Sequence, residues 1–180
     1  MKKSILTILV LVIALVSSST INAQNFSKLD KSPMDAAAYP DNYRVSDKLV
    51  KVIYSRPQLK GRSLDKLASQ GKVWRTGANE AAEITFYKDV NFGGKEVKAG
   101  TYTLFTIPGK KEWTIILSTA KNVWGSYFYN EKEDVARVKV PTAKSSNPIE
   151  VFSIVFDGEN NEAKMHLGWG NTIISVPVKG

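Results

Sequence analysis

The chain has no cysteine and only one histidine in 180 residues. Without thiols it forms no disulfides, binds no thiolate zinc or iron–sulfur cluster and has no cysteine nucleophile. His166 alone cannot build a histidine-rich metal site. Long apolar stretches are missing too: the longest, Ile5 to Val16, covers 12 residues, where a bilayer-spanning helix needs about 20. With 12 Gly and 7 Pro, collagen-like and low-complexity classes are excluded. The 43% hydrophobic content is that of a globular protein whose length suits one domain with a sizeable core.

What is present begins at the N-terminus. Lys2 and Lys3, the apolar run and the small, polar Ser17 to Ala23 segment have the order of a secretory signal peptide cleaved after Ala23. Residues 1–23 are therefore read as a signal peptide, giving a periplasmic or secreted protein that begins at Gln24 and has no transmembrane anchor. Loss of the two lysines lowers the net charge from +8 to +6. The remaining lysines are dispersed and only Lys110-Lys111 are adjacent, so a solvated surface is favoured over a nucleic-acid interface. Acidic or polar envelope polymers are the more natural partners of an exported basic chain.

Residues 24–43 carry Pro33, Pro40 and three successive alanines without a sustained period, and read as an extended, irregular lead-in to a domain over 44–180. From Leu49 onward, short runs of β-branched and aromatic residues alternate with turn signals. Strands are expected at Leu49–Ser55, Ile84–Tyr87, Val90–Phe92, Lys95–Val97, Thr101–Ile107, Glu112–Ser118, Val135–Val140, Ile149–Phe156, Ala163–Trp169 and Thr172–Val178. Gly93-Gly94 suits a two-residue hairpin turn, Pro141 is expected to stop its strand, and Pro177 to place the last one at an edge or beyond the sheet. Ser63 can cap one short helix over Leu64–Ala68. So many strands need two packed layers to hide their apolar faces, and the expected fold is a mainly β, single-domain antiparallel β-sandwich or jelly roll with one short helix.

The segments Tyr54-Ser55-Arg56-Pro57, Lys60-Gly61-Arg62, Val73-Trp74-Arg75-Thr76-Gly77-Ala78-Asn79-Glu80, Ala99 to Gly109, Trp113, Trp124-Gly125 and Asp134 to Val138, in this order, resemble the domain of unknown function family 2911 from exported bacterial proteins. The resemblance spans roughly Ser32 to Val178. It implies an exported, mainly β domain and brings no established activity, cofactor or catalytic residue. One departure is the polar Leu64–Gly71 segment, which leaves the packing of that helix open.

Chemistry must then come from individual residues. The alternation Ala163, Met165, Leu167, Trp169 turns His166 to the opposite, solvent face with Lys164, away from a Ser/His/Asp arrangement. Asp157, Glu159 and Asn161 alternate like the start of a calcium loop, but Glu162 and Gly168 occupy the places of its glycine and its bidentate glutamate. Neither a metal nor a cofactor is implied. The Trp74–Glu80 segment is different, because a guanidinium, a hydroxyl, a carboxamide and a carboxylate gather in a glycine-containing stretch beside an indole. Trp74, Arg75, Thr76, Asn79 and Glu80, with Arg56 and Arg62, form a candidate polar or anionic ligand site. The competing structural roles are a core position for Trp74, turn hydrogen bonds for Asn79 and an ion pair of Arg75 with Glu80 or Glu83. Trp124 and Tyr127, in an aromatic loop, are open between a core position and stacking on sugar rings or on a partner, whereas Trp113 and Trp169 are in phase with aliphatic neighbours and are assigned to the core. Two functions follow: a non-catalytic binding module for a polar or anionic envelope ligand, or an envelope hydrolase using Glu80 with a second carboxylate drawn from Glu83, Asp89 or Asp134.

Overall fold

The computed structural model describes residues 25–180; residues 1–24, with the segment expected to be a signal peptide, lie outside them. Nine antiparallel strands are hydrogen-bonded in the order β1-β2-β3-β6-β7-β8-β9-β4-β5. They are β1 (Met34–Tyr39), β2 (Val50–Ser55), β3 (Ala82–Phe86), β4 (Val90–Phe92), β5 (Lys95–Val97), β6 (Gly100–Ile107), β7 (Glu112–Ser118), β8 (Asp134–Glu159) and β9 (Glu162–Lys179), with one helical turn, α1 (Leu64–Leu67). The mainly β domain with a short helix is as expected, and its two layers are halves of one continuous sheet.

Two long elements make that continuity. β9 reverses at Gly170, where φ is +60°, so that Gly180 N donates to Asn161 O and His166 meets Ser175. β8 then passes around the tip of this hairpin, pairing through Thr142–Lys144 with Thr172–Ile174 and through Ser153–Glu159 with Glu162–Gly168. Its first part, Asp134–Pro141, pairs with β7. The sheet curls until the segment after β2 reaches the far part of β8: Phe152 N donates to Pro57 O and Leu59 N to Glu150 O.

Between the layers lies one main core. The alternation of Trp113, Ile115 and Leu117 in β7 is buried there, as is that of Ala163, Met165, Leu167 and Trp169 in β9. Tight turns match the expected hairpin: Gly93 and Gly94 join β4 to β5 with φ of +57° and +89°, values that L-residues with a Cβ adopt at a cost. The polar helix α1 buries no residue of its own, but Leu64 and Leu67 pack against the core edge.

Three expectations are corrected. The 24–43 lead-in contains a strand, because β1 pairs with β2 along its whole length, Met34 opposite Ser55 to Tyr39 opposite Val50; a run of alanines has little strand preference of its own and takes its order from the partner. Pro141 does not end β8. It faces Glu112 in the last pair with β7, and Thr142 N continues to Lys111 O, so the missing N–H falls where pairing with β9 has not begun. Pro177 is not at an edge either: β4 pairs with Val178 and Lys179, and the Pro177 carbonyl accepts from Gly93 N.

Candidate functional site

The Trp74–Glu80 segment extends the sheet beside β6. Trp74 N and O exchange hydrogen bonds with Thr106 O and N at 2.7 and 3.0 Å. Period-2 alternation then sends Trp74 and Thr76 inward and Arg75 outward. Trp74 stacks on Trp169 and meets Trp113 and Phe152 edge-on. Thr76 is completely buried, its hydroxyl 3.2 Å from that of Thr106. Of the proposed ligand-binding residues, these two are core. Thr76 has φ +52°, an unusual conformation for a β-branched residue, and Gly77 is the residue that fits next to it: a Cβ there would lie 3.1 Å from Ser55 O.

Beyond this anchor the loop is zipped to a segment more than forty residues away. Gly125 N donates to Asn79 O and Ala81 N to Val123 O, both at 3.0 Å, so Glu80 sits opposite Trp124 in a single antiparallel bridge. Ser126 Oγ adds a bond to Val73 O. Asn79 supports this turn with φ +61°, a conformation asparagine tolerates. Arg75, Asn79 and Glu80 are thereby joined to an aromatic loop whose Trp124, Tyr127 and Phe128 are 59%, 75% and 88% exposed. Neither Arg56 nor Arg62 takes part. Arg56 donates to Asp35, to Phe152 O and to Ser153 Oγ, and Arg62 closes its own turn on Leu59 O and Gln58 O.

The Arg75 side chain forms no described ion pair with Glu80 or Glu83; its Nε is buried without a hydrogen-bond partner. Under the same flap, on the outer face of the sheet, Phe105, Ile116 and Ala81 form a small second core joined by Tyr129. Here Tyr129 Oη donates to Asp134 Oδ2, and Arg137 reaches both groups, each at 2.6 Å. Burial, followed by the hydrogen bond to Asp134, pushes the Tyr129 phenol up to about 12. The hydrogen bond to Asp134 also raises Arg137. The second oxygen of Asp134 is buried without a partner. The sequence singled out Trp124 and Tyr127 of the aromatic loop and not Tyr129; the β-bulge between Leu117 and Ser118 that sets Asp134 opposite Ser118 has no local signal.

Of the three possible second carboxylates, Glu83 shares a cleft with Glu80. That cleft, about 210 Å³, is also lined by Met34, Ile53 and Asn122, and Asn122 N points to Glu83 Oε1 at 3.4 Å. Asp89 is instead engaged by Lys98 and the Ala99 amide, which hold its carboxyl below the usual range.

His166 departs from the simple solvent position. Ser175 Oγ lies 2.7 Å from Nδ1 and Asp157 Oδ2 3.1 Å from Nε2, yet the buried Nε2 has no hydrogen-bond partner. The Ser175–His166 contact is one between cross-strand neighbours in the reversed β9, and the relay is incomplete. Asp157, Glu159 and Asn161 lie in the β8–β9 hairpin, where Glu159 pairs with Glu162. Among the described residues no group of three or more His, Cys, Asp or Glu is placed to hold a metal, and no helix is long and apolar enough to cross a membrane.

The profile of a protein family described as "Protein of unknown function (DUF2911)" matches residues 32–178. The chain belongs to the DUF2911 family. Among curated proteins and among solved structures, none matches it. The DUF2911 match starts two residues before β1 and ends inside β9, so it takes in the Arg75–Glu80 loop, the aromatic flap and the Tyr129–Asp134–Arg137 cluster together.

Proposed function

We infer that the protein is a non-catalytic binding module of the cell envelope, periplasmic or secreted, whose ligand is a polar glycan. The observation that carries this reading is the Glu80–Trp124 bridge, which sets the polar loop and the exposed aromatic loop side by side. Sugar rings present apolar C–H faces that stack on indole and phenol rings. Their hydroxyls both donate and accept, so they match a carboxylate and carboxamide at Glu80 and Asn79 and a guanidinium at Arg75. A rigid backbone bridge holds the aromatics in place before binding, which limits the entropy lost on association. Titrating the purified protein, residues 24–180, with soluble fragments of envelope polysaccharide should give saturable binding, and Trp124→Ala or Tyr127→Ala should weaken it at least tenfold. Equal binding by wild type and both variants overturns the reading.

A second reading, a carboxylate hydrolase, is supported by the cleft that Glu80 shares with Glu83. It predicts release of reducing ends from the same polysaccharides and its loss in both Glu80→Gln and Glu83→Gln. Binding without turnover supports the first reading.

A further inference from the structure

The curled sheet closes on itself along a seam, and the seam is sealed at one end only. There Arg56 ties Asp35 of β1 to Phe152 O and Ser153 Oγ of β8, and Tyr54 Oη bridges Ile154 O and Ile154 N. Beyond Ile154, among the described residues, no hydrogen bond joins β1 to β8. The two strands border a cleft of about 520 Å³ whose walls are Ala36, Ala37 and Ala38 on one side and Ile154, Val155 and Phe156 on the other.

Three features give the cleft a chemical character. Its floor is continuous with the main core, because Ala37 and Phe156 both pack against that cluster; the methyl side chains of β1 leave the space that larger residues would fill. At the mouth stand Tyr43 and Tyr87, both exposed. The charged groups at the rim are Lys48, Lys51 and Asp41, two cations against one anion. Lys48 is fixed by the carbonyls of Pro40 and Asn42, which keep its charge in place. Lys51 lies opposite the small Ala38 and forms no salt bridge among the described residues.

We propose that this cleft is a binding site for a single-chain amphiphile with an anionic head, a free fatty-acid carboxylate, its alkyl chain between β1 and β8 and its head at Lys51 and Lys48. The volume is within the range of about 300–1,000 Å³ typical of small-molecule sites, and the mouth of a curled β-sheet is a common place for one. Burial of alkyl carbon supplies the affinity, and the lysines orient the chain head-outward. This proposal is independent of the glycan reading, since none of the cleft residues belongs to the Arg75–Trp124 loop pair.

The test uses a nitrobenzoxadiazole-labelled dodecanoate, titrated into residues 24–180 and displaced with unlabelled dodecanoate or dodecanol. Saturable one-to-one binding is expected, with dodecanoate displacing the probe at lower concentration than dodecanol. Ala38→Trp, which fills the cleft, should weaken binding at least tenfold. Lys51→Glu should weaken dodecanoate at least fivefold and leave dodecanol unchanged. Should Ala38→Trp fail to fold, Val155→Arg at the exposed rim replaces it. Absence of saturable binding, equal affinity in wild type and both cleft variants, binding only to phosphatidylglycerol vesicles, or a dimer or captured peptide that occupies the cleft and excludes the probe would each overturn the proposal.

Discussion

The indole of Trp74 stacks on that of Trp169 with centroids 5.3 Å apart and planes 18° from parallel. One ring opens the polar loop and the other belongs to β9 on the opposite layer, so the candidate site is anchored through the core to the far side of the sheet. Trp113 and Phe152 meet Trp74 edge-on, and such pairs add about 0.5–1.5 kcal/mol each beyond burial. Trp74→Ala should therefore destabilise the protein by about 3–5 kcal/mol, whereas Trp124→Ala, on the exposed flap, should stay within about 0.5 kcal/mol. Denaturant melts of the two variants check this, and equal losses would contradict the division between anchor and platform.

The arginines divide in the same way. Arg56 is half-buried and satisfies Asp35, Phe152 O and Ser153 Oγ at the seam; discounted for its solvent exposure, Arg56→Ala should cost about 1–2 kcal/mol. Arg75 forms no described side-chain hydrogen bond and its Nε has no partner. Arg75→Ala should change stability by no more than about 1 kcal/mol while reducing glycan binding. A larger stability loss for Arg75→Ala than for Arg56→Ala would reverse the assignment.

Tyr129 sets a pH window. Its phenol ordinarily titrates at 10.0 and is pushed up to about 12 by burial and by Asp134, and burial also raises Tyr54. A raised phenol favours the folded state while it is neutral: the unfolded chain loses this proton near pH 10 and the folded one only near 12, so stability present below pH 10 declines between the two values. Melts at pH 8 and pH 11 should show a loss that is smaller in Tyr129→Phe. An identical loss in that variant would remove Tyr129 from the account.

Gly93 and Gly94 should respond unequally to alanine. Both have positive φ, but a Cβ at Gly93 meets Val138 Cγ1 at 2.5 Å, whereas at Gly94 nothing lies within 4 Å. Gly94→Ala should cost about 1 kcal/mol from backbone strain alone, and Gly93→Ala about 1–3 kcal/mol more from overpacking. Equal thermal shifts would show that the turn moves off Val138.

Much of the fold was legible along the chain. Trp113, Ile115 and Leu117 face inward because adjacent side chains in a strand point to opposite faces, and Gly93-Gly94 make a turn because both adopt positive φ; both effects act over a few residues. The same local information located the polar and aromatic loops without showing that they meet. Three successive alanines concealed β1, since its order comes from hydrogen bonding to β2 and not from propensity.

Everything that joins distant segments was decided by the tertiary structure. Composition marked Arg56 and Arg75 as the same kind of residue, yet one became a seam clamp and the other was left with an unpartnered nitrogen. The difference depends on which carbonyls and carboxylates the curled sheet delivers to each guanidinium, with Phe152 O arriving from 96 residues away. Likewise Trp74 is core because β9 folds back to present Trp169, and Glu80 and Glu83 share a cleft because Met34 and Ile53 form its other walls. Alternation along a strand determines which face a side chain occupies; the pairing of strands across the chain determines what waits for it there.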